Sequence, residues 1–153
     1  IGSHSSSLIG DCSAEKPSNL VPIKTEVAIG KREKITVFGD DYNTPDGTCI
    51  RDYIHVVDLA KSHVLGMDFL INNPGKHAFN VGTGIGVSVL DAIKSFEETN
   101  NLKVNYSIGP RRSGDIEQIY ANGSLVKEKL DWEAKETLEE AMRSAWEWEK
   151  LKC

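Results

Sequence analysis

Apolar positions along this chain follow two alternating rhythms. Ile35 to Phe38 is a compact run of β-branched and aromatic residues, ITVF, and predicts a strand. Before it, Ser18 can cap a helix starting near Asn19. Pro22 is tolerable in its first turn, Val27 and Ala28 give it an apolar side, and Gly30 suits its end. The basic run 31–34 reads as a solvated turn. Residues 40–48 form a loop around Pro45-Asp46-Gly47, where Pro presets one backbone angle and Gly permits a positive one. Ile54 to Val56 predicts a brief strand. From Val57 the period becomes helical: Ala60, Val64, Met67 and Ile71 fall on one stripe, with His63 and Leu70 beside it, until Asn73-Pro74-Gly75 stops the helix.

The second half repeats the alternation. Ala78 to Val81 predicts a strand running into Gly82-Thr83-Gly84-Ile85-Gly86. Ser88 and Asp91 make a capping pair for a helix carrying Leu90, Ile93 and Phe96. Lys103 to Ile108 alternates as a strand and 109–115, GPRRSGD, is a loop. Asn122 is placed to cap a short helix with Leu125, Val126 and Leu130. Thr137 and Glu140 cap a last helix whose inner face is Leu138, Met142, Ala145 and Trp146. The pattern is mixed α/β, too short for a complete doubly wound enzyme.

Composition narrows this picture. At 153 residues the chain suits one domain. A net charge of −5 argues against nucleic acid or an anionic membrane as partner, and no apolar run approaches the ~18 residues of a membrane span. No charged-then-apolar leader is seen, so the expectation is a cytoplasmic, reducing location with Cys12, Cys49 and Cys153 as free thiols. For the same reason the Asn105 and Asn122 glycosylation patterns carry no weight. The Ser/Gly-rich stretch 1–17 reads either as a disordered tail or as a loop entered midway.

Few motifs survive scrutiny. The GTGIG loop lacks the last glycine of a dinucleotide fingerprint, since position 87 is Val87, so its glycines shape a strand-to-helix turn. The four histidines have no metal-ligand spacing. No tyrosine is followed four positions later by lysine, and there is no nucleophile elbow. What remains is anion recognition. Arg51 and Arg112 present planar forks that suit phosphate oxygens, Asp115 can accept from a ribose diol, and Phe38 can stack on a base. Ion pairs Arg51–Asp52 or Arg112–Asp115 that merely pin loops are an equally open reading.

On these residues the chain resembles the C-terminal part of the UDP-glucose 4-epimerases, of the extended short-chain dehydrogenase/reductase superfamily. The resemblance rests on SNLVP at 18–22, VAIGKRE at 27–33, VFGDDYNTPDGTCIRDYIHVVDLA at 37–60, FNVGTGIGVSVLD at 79–91, RRSGDI at 111–116 and LDW at 130–132, with His4 and LIGD at 8–11. It implies the C-terminal portion of a Rossmann-type fold, a small mixed sheet with helices. Residues 1–17 would be a segment crossing between halves and 18–153 a UDP-sugar-binding domain. It implies that Asn19 and Leu20 touch diphosphate and uridine, that Thr36 and Phe38 hold uracil, and that Arg51 and Arg112 clamp the diphosphate with Tyr53 nearby. Asp115 would take the ribose hydroxyls, and Ile119 would govern room for the hexose. The family's NAD-binding and catalytic half is not in this chain. The implied partners are UDP-glucose or UDP-galactose, that missing half, and a second copy in a homodimer. By the resemblance the chain contributes to an epimerase but is inactive alone. The other readings are a stand-alone UDP-sugar-binding module, or part of a nucleotide-sugar dehydratase or decarboxylase.

Overall fold

A computed structural model describes residues 1–12 and 17–152; the reading of Cys153 as a free thiol and part of the proposed 1–17 segment lie outside these. The elements in chain order are α1 (Leu20–Ala28), β1 (Ile35–Phe38), β2 (Ile50–Arg51), α2 (Val56–Asn72), β3 (Val87–Ser88), α3 (Val89–Asn100), β4 (Tyr106–Gly109), β5 (Gln118–Ile119), α4 (Ser124–Leu130) and α5 (Leu138–Lys152). The mixed α/β expectation holds, with two small sheets among the described residues. β1 pairs with β4 in parallel, Phe38 opposite Gly109. β2 pairs antiparallel with β3 and parallel with β5, which sets Arg51 opposite Ile119.

The core lies where α1, α3 and α5 meet the inner face of β1. Val21, Ile35, Val37, Ala92, Ile93, Phe96, Val104, Met142 and Ala145 form it, and Trp146 meets Phe96 edge-on, centroids 6.2 Å apart. Alternation along ITVF explains the strand's orientation: Ile35 and Val37 point into the core, while Thr36 and Phe38 point outward. Capping follows the sequence at two helices. Ser88 Oγ accepts from Asp91 N–H at 3.0 Å, and Thr137 Oγ1 accepts from Glu140 N–H at 3.2 Å.

Several expectations are corrected. α1 is capped at Asn19, without a side-chain hydrogen bond, rather than at Ser18. Residues 54–56 form no strand; His55 instead caps α2, its Nδ1 accepting from Val57 N–H. No strand forms over 78–81, and the strand expected at 103–108 sits at Tyr106–Gly109. α4 is capped at Gly123, while Asn122 Oδ1 accepts from Ser124 N–H and Oγ–H in a local turn. The stripe on α2 is real but faces outward: Val64, Met67, Leu70 and Ile71 are exposed, whereas Asp58 and Ser62 are the helix's buried residues. Asp58 is held there because Oδ2 accepts the N–H groups of Lys135 and Glu136 at 2.8 and 2.7 Å.

Lys24 is the unexpected member of the core. Its side chain is fully buried, donating to the Ala92 carbonyl at 2.8 Å and lying 3.2 Å from Met142 Sδ. Burial with no carboxylate partner among these contacts pulls its pKa down to about 7.

Candidate functional site

Two turns carry the site, one after β1 and one after β4. In the first, Gly47 adopts φ +78°, and an added Cβ there would overlap the Asp40 carbonyl. Asp46 holds the turn closed, accepting Thr48 N–H at 2.9 Å and Thr48 Oγ1–H at 2.8 Å and also the Ser88 hydroxyl. The turn therefore leads directly into β2 and delivers Arg51. In the second, Asp115 N–H donates to the Arg112 carbonyl at 3.2 Å. That bond folds Asp115 back toward the guanidinium of Arg112.

These turns, with the start of α1 and the exposed face of β1, enclose a hollow of about 330 Å³. Its lining includes Asn19, Leu20, Thr36, Phe38, Arg51, Tyr53, Arg112 and Asp115. Eight of the nine residues singled out from the sequence thus share one cavity. Ile119 does not line it: it is half-exposed in β5, beside Arg51 across the strand pair. Ser18, Ile23, Cys49 and Val89 complete parts of the wall. Ile23 and Val89 were missed because an apolar helix residue at a cavity wall has the same pattern as one in the core.

The charges converge. Arg51 Nη2 lies 3.5 Å from Asp115 Oδ1, and Arg112 Nη2 lies 3.0 Å from the same oxygen. Two cations around one carboxylate leave a surplus positive charge at the rim. Arg51 is anchored more firmly, because Nη1 also donates to the carbonyls of Ile50 at 2.8 Å and Ile116 at 2.6 Å. Arg112 is the more exposed and stands over the Phe38 ring, 5.3 Å from its centroid. Tyr53 is largely desolvated; burial pushes its phenol up to about 12, so it stays a neutral hydroxyl despite the nearby Arg51 charge.

Of the two loop-pinning ion pairs, Arg112–Asp115 is present and Arg51–Asp52 is not. Asp52 instead accepts four hydrogen bonds, from Thr83 N–H and Oγ1–H on one oxygen and from Gly84 and Ala121 N–H on the other. Burial acts to raise its pKa, but these donors together hold it below the ordinary value. The GTGIG loop is thus closed on a carboxylate of its own chain. With the Thr83 and Gly84 amides so occupied, this loop does not fit the phosphates of NAD.

The His55–Ser144 pair is structural. His55 Nδ1 accepts from Val57, so Nε2 carries the proton toward Ser144 Oγ at 3.2 Å and cannot act as that hydroxyl's base. Among the described residues no group of three or more His, Cys, Asp or Glu could hold a metal ion, and no helix is long and apolar enough to cross a membrane. Cys12 is exposed and Cys49 buried, both as free thiols.

Comparison with known proteins is concordant. The profile of the GDP-mannose 4,6 dehydratase family matches residues 12–145. The UDP-glucose 4-epimerase of Pasteurella multocida (strain Pm70) is 47% identical over 150 residues, 98% of this chain and 44% of its own. A crystal structure of the Stenotrophomonas maltophila UDP-glucose 4-epimerase, with NAD and formylated UDP-arabinopyranose, superimposes with a TM-score of 0.96 at 44% identity, over 99% of this chain and 45% of that one. The Bifidobacterium longum enzyme in complex with NAD+ and UDP gives 0.90 at 42% identity, over 99% and 45%. The chain therefore spans less than half the length of the curated relatives it matches.

Proposed function

Because the chain belongs to the GDP-mannose 4,6 dehydratase family, we propose that it is the UDP-sugar-binding portion of a UDP-glucose 4-epimerase. The observation that carries this reading is the convergence of Arg51 and Arg112 on one carboxylate, inside a hollow that also holds Phe38 and Thr36. The relatives named above, two of them seen with UDP or a UDP-sugar, support the choice of ligand.

The chemistry follows from the residues. A diphosphate entering the hollow competes with Asp115 for two guanidinium forks and brings more negative charge than one carboxylate. Asp115, displaced, can accept the ribose hydroxyls. Thr36 and Phe38 point outward from β1, and their hydroxyl and ring are the groups proposed to hydrogen-bond and stack on a base. Asn19 and Leu20, at the start of α1, also line the hollow, and Tyr53 offers a neutral donor beside Arg51. Ile119 lies outside the hollow but next to Arg51, so any influence on the hexose would be exerted at the rim. Binding would be concentrated on the nucleotide, leaving the sugar loosely held, as a reaction that re-presents the opposite face of the sugar requires.

NAD binding and the redox step are assigned to polypeptide beyond this chain, and the longer protein is proposed to be a homodimer. A cytoplasmic location belongs to the same reading, and the free thiols fit a reducing compartment. Titration calorimetry tests the core of the proposal. UDP should bind one per chain, with UMP weaker and uridine weakest; no heat with UDP, or three indistinguishable ligands, would sink it.

A further inference from the structure

Arg111 stands beside Arg112 in sequence but turns away from the hollow. Its Nε donates to Asp41 Oδ1 at 2.6 Å, its Nη2 donates to the Asp41 carbonyl, and its guanidinium lies 4.0 Å from the centroid of the Tyr42 ring. Asp41 and Tyr42 belong to the turn after β1, Arg111 to the turn after β4. Phe38, the last residue of β1, and Arg112, next to Arg111 in sequence, both line the hollow. Gly39 makes the approach possible: it adopts φ +84°, and a Cβ there would fall 2.7 Å from the Tyr42 ring and 2.8 Å from Arg111 Cγ. Its N–H also donates to the Gly109 carbonyl at 2.9 Å.

A single exposed ion pair fastens little. Here three contacts come from one planar group, two N–H donors in its plane and a ring against its face. Lysine cannot supply both at once. We propose that Arg111 is a positioning residue for the UDP site, a brace that ties the two turns together and so sets Arg112 over Phe38. This rests on the nucleotide-binding reading above but adds to it a residue that touches no ligand atom.

A double-mutant cycle in the full chain tests it, with UDP and uridine titrated against wild type, Arg111→Gln, Arg112→Ala and the double variant. Arg111→Gln should weaken UDP about fivefold and leave uridine unchanged, and Arg111→Lys should fall between it and wild type. In the Arg112→Ala background the same change should cost nothing further. An unchanged UDP affinity in Arg111→Gln, or an equal loss in both backgrounds, overturns the brace while leaving the site intact. If wild type takes up no UDP, or Arg112→Ala binds as well as wild type, the parent reading falls and the brace falls with it.

Discussion

Arg51 and Arg112 meet at one oxygen: Nη2 of each points to Asp115 Oδ1, at 3.5 and 3.0 Å. The carboxylate keeps two like charges together, and on the proposed reading an entering polyanion would compete with it. Removing its charge should favour a bare anion. Asp115→Asn is expected to bind inorganic pyrophosphate about threefold more tightly at low ionic strength, with the gain shrinking as salt is added. Equal or weaker binding by calorimetry would show that Asp115 does not compete for the forks.

The two arginines should differ in what their loss costs. Arg112→Ala should weaken UDP roughly tenfold or more, the equivalent of one charge-assisted hydrogen bond, with little change in thermal midpoint. Arg51→Ala should weaken UDP comparably but also lower the midpoint by about 2–4 °C, because the carbonyls of Ile50 and Ile116 lose a donor. Differential scanning calorimetry beside the titration separates the effects; equal midpoints for both variants would contradict this division.

Lys24 should be a stability defect at neutral pH. Its pKa is about 7 in the fold, against 10.5 for an ordinary lysine. Between those values the unfolded chain holds the proton more tightly, so stability rises with pH across that window; below about 7 the penalty is fully present. Lys24→Met should stabilise by about 2–4 kcal/mol at pH 7, and its advantage should fade toward pH 10. Midpoints measured across that range check it, and an advantage independent of pH would refute the assignment.

The outward stripe of α2 predicts behaviour in solution. Val64, Met67, Leu70 and Ile71 form an exposed apolar face, and such faces promote association. Met67→Lys with Ile71→Glu should shift the chain toward monomer in sedimentation velocity and leave UDP affinity within about twofold, since neither residue lines the hollow proposed to hold the nucleotide. Unaltered sedimentation would show that this face does not drive association.

Local signals in the sequence carried much of this architecture. ITVF, the Pro45-Asp46-Gly47 turn and the Ser88 and Thr137 caps each encode their own geometry within a few residues, and each forms as expected. Failures came where the answer lay elsewhere in the chain. The period of α2 marks an apolar side but not which side meets the core; Asp58 decided that by finding two backbone donors at 135 and 136. Asp52 sits next to Arg51, yet three donors from residues 83 and 84 and one from 121 claim it instead. The grouping of eight site residues came from the family resemblance, because spacing alone could not bring Arg51 and Arg112 together. Lys24 gave no warning, since an amphipathic helix normally turns lysine to water.

Gly47 is not among the residues lining the hollow, yet its φ of +78° and the Asp40 carbonyl against its missing Cβ leave no room for any other residue. In a saturation library selected for function, position 47 should therefore tolerate almost no replacement, as a chemically active position would. Depletion there would record the shape of a bend, and taken as a mark of ligand contact it would lead to the wrong side of the loop.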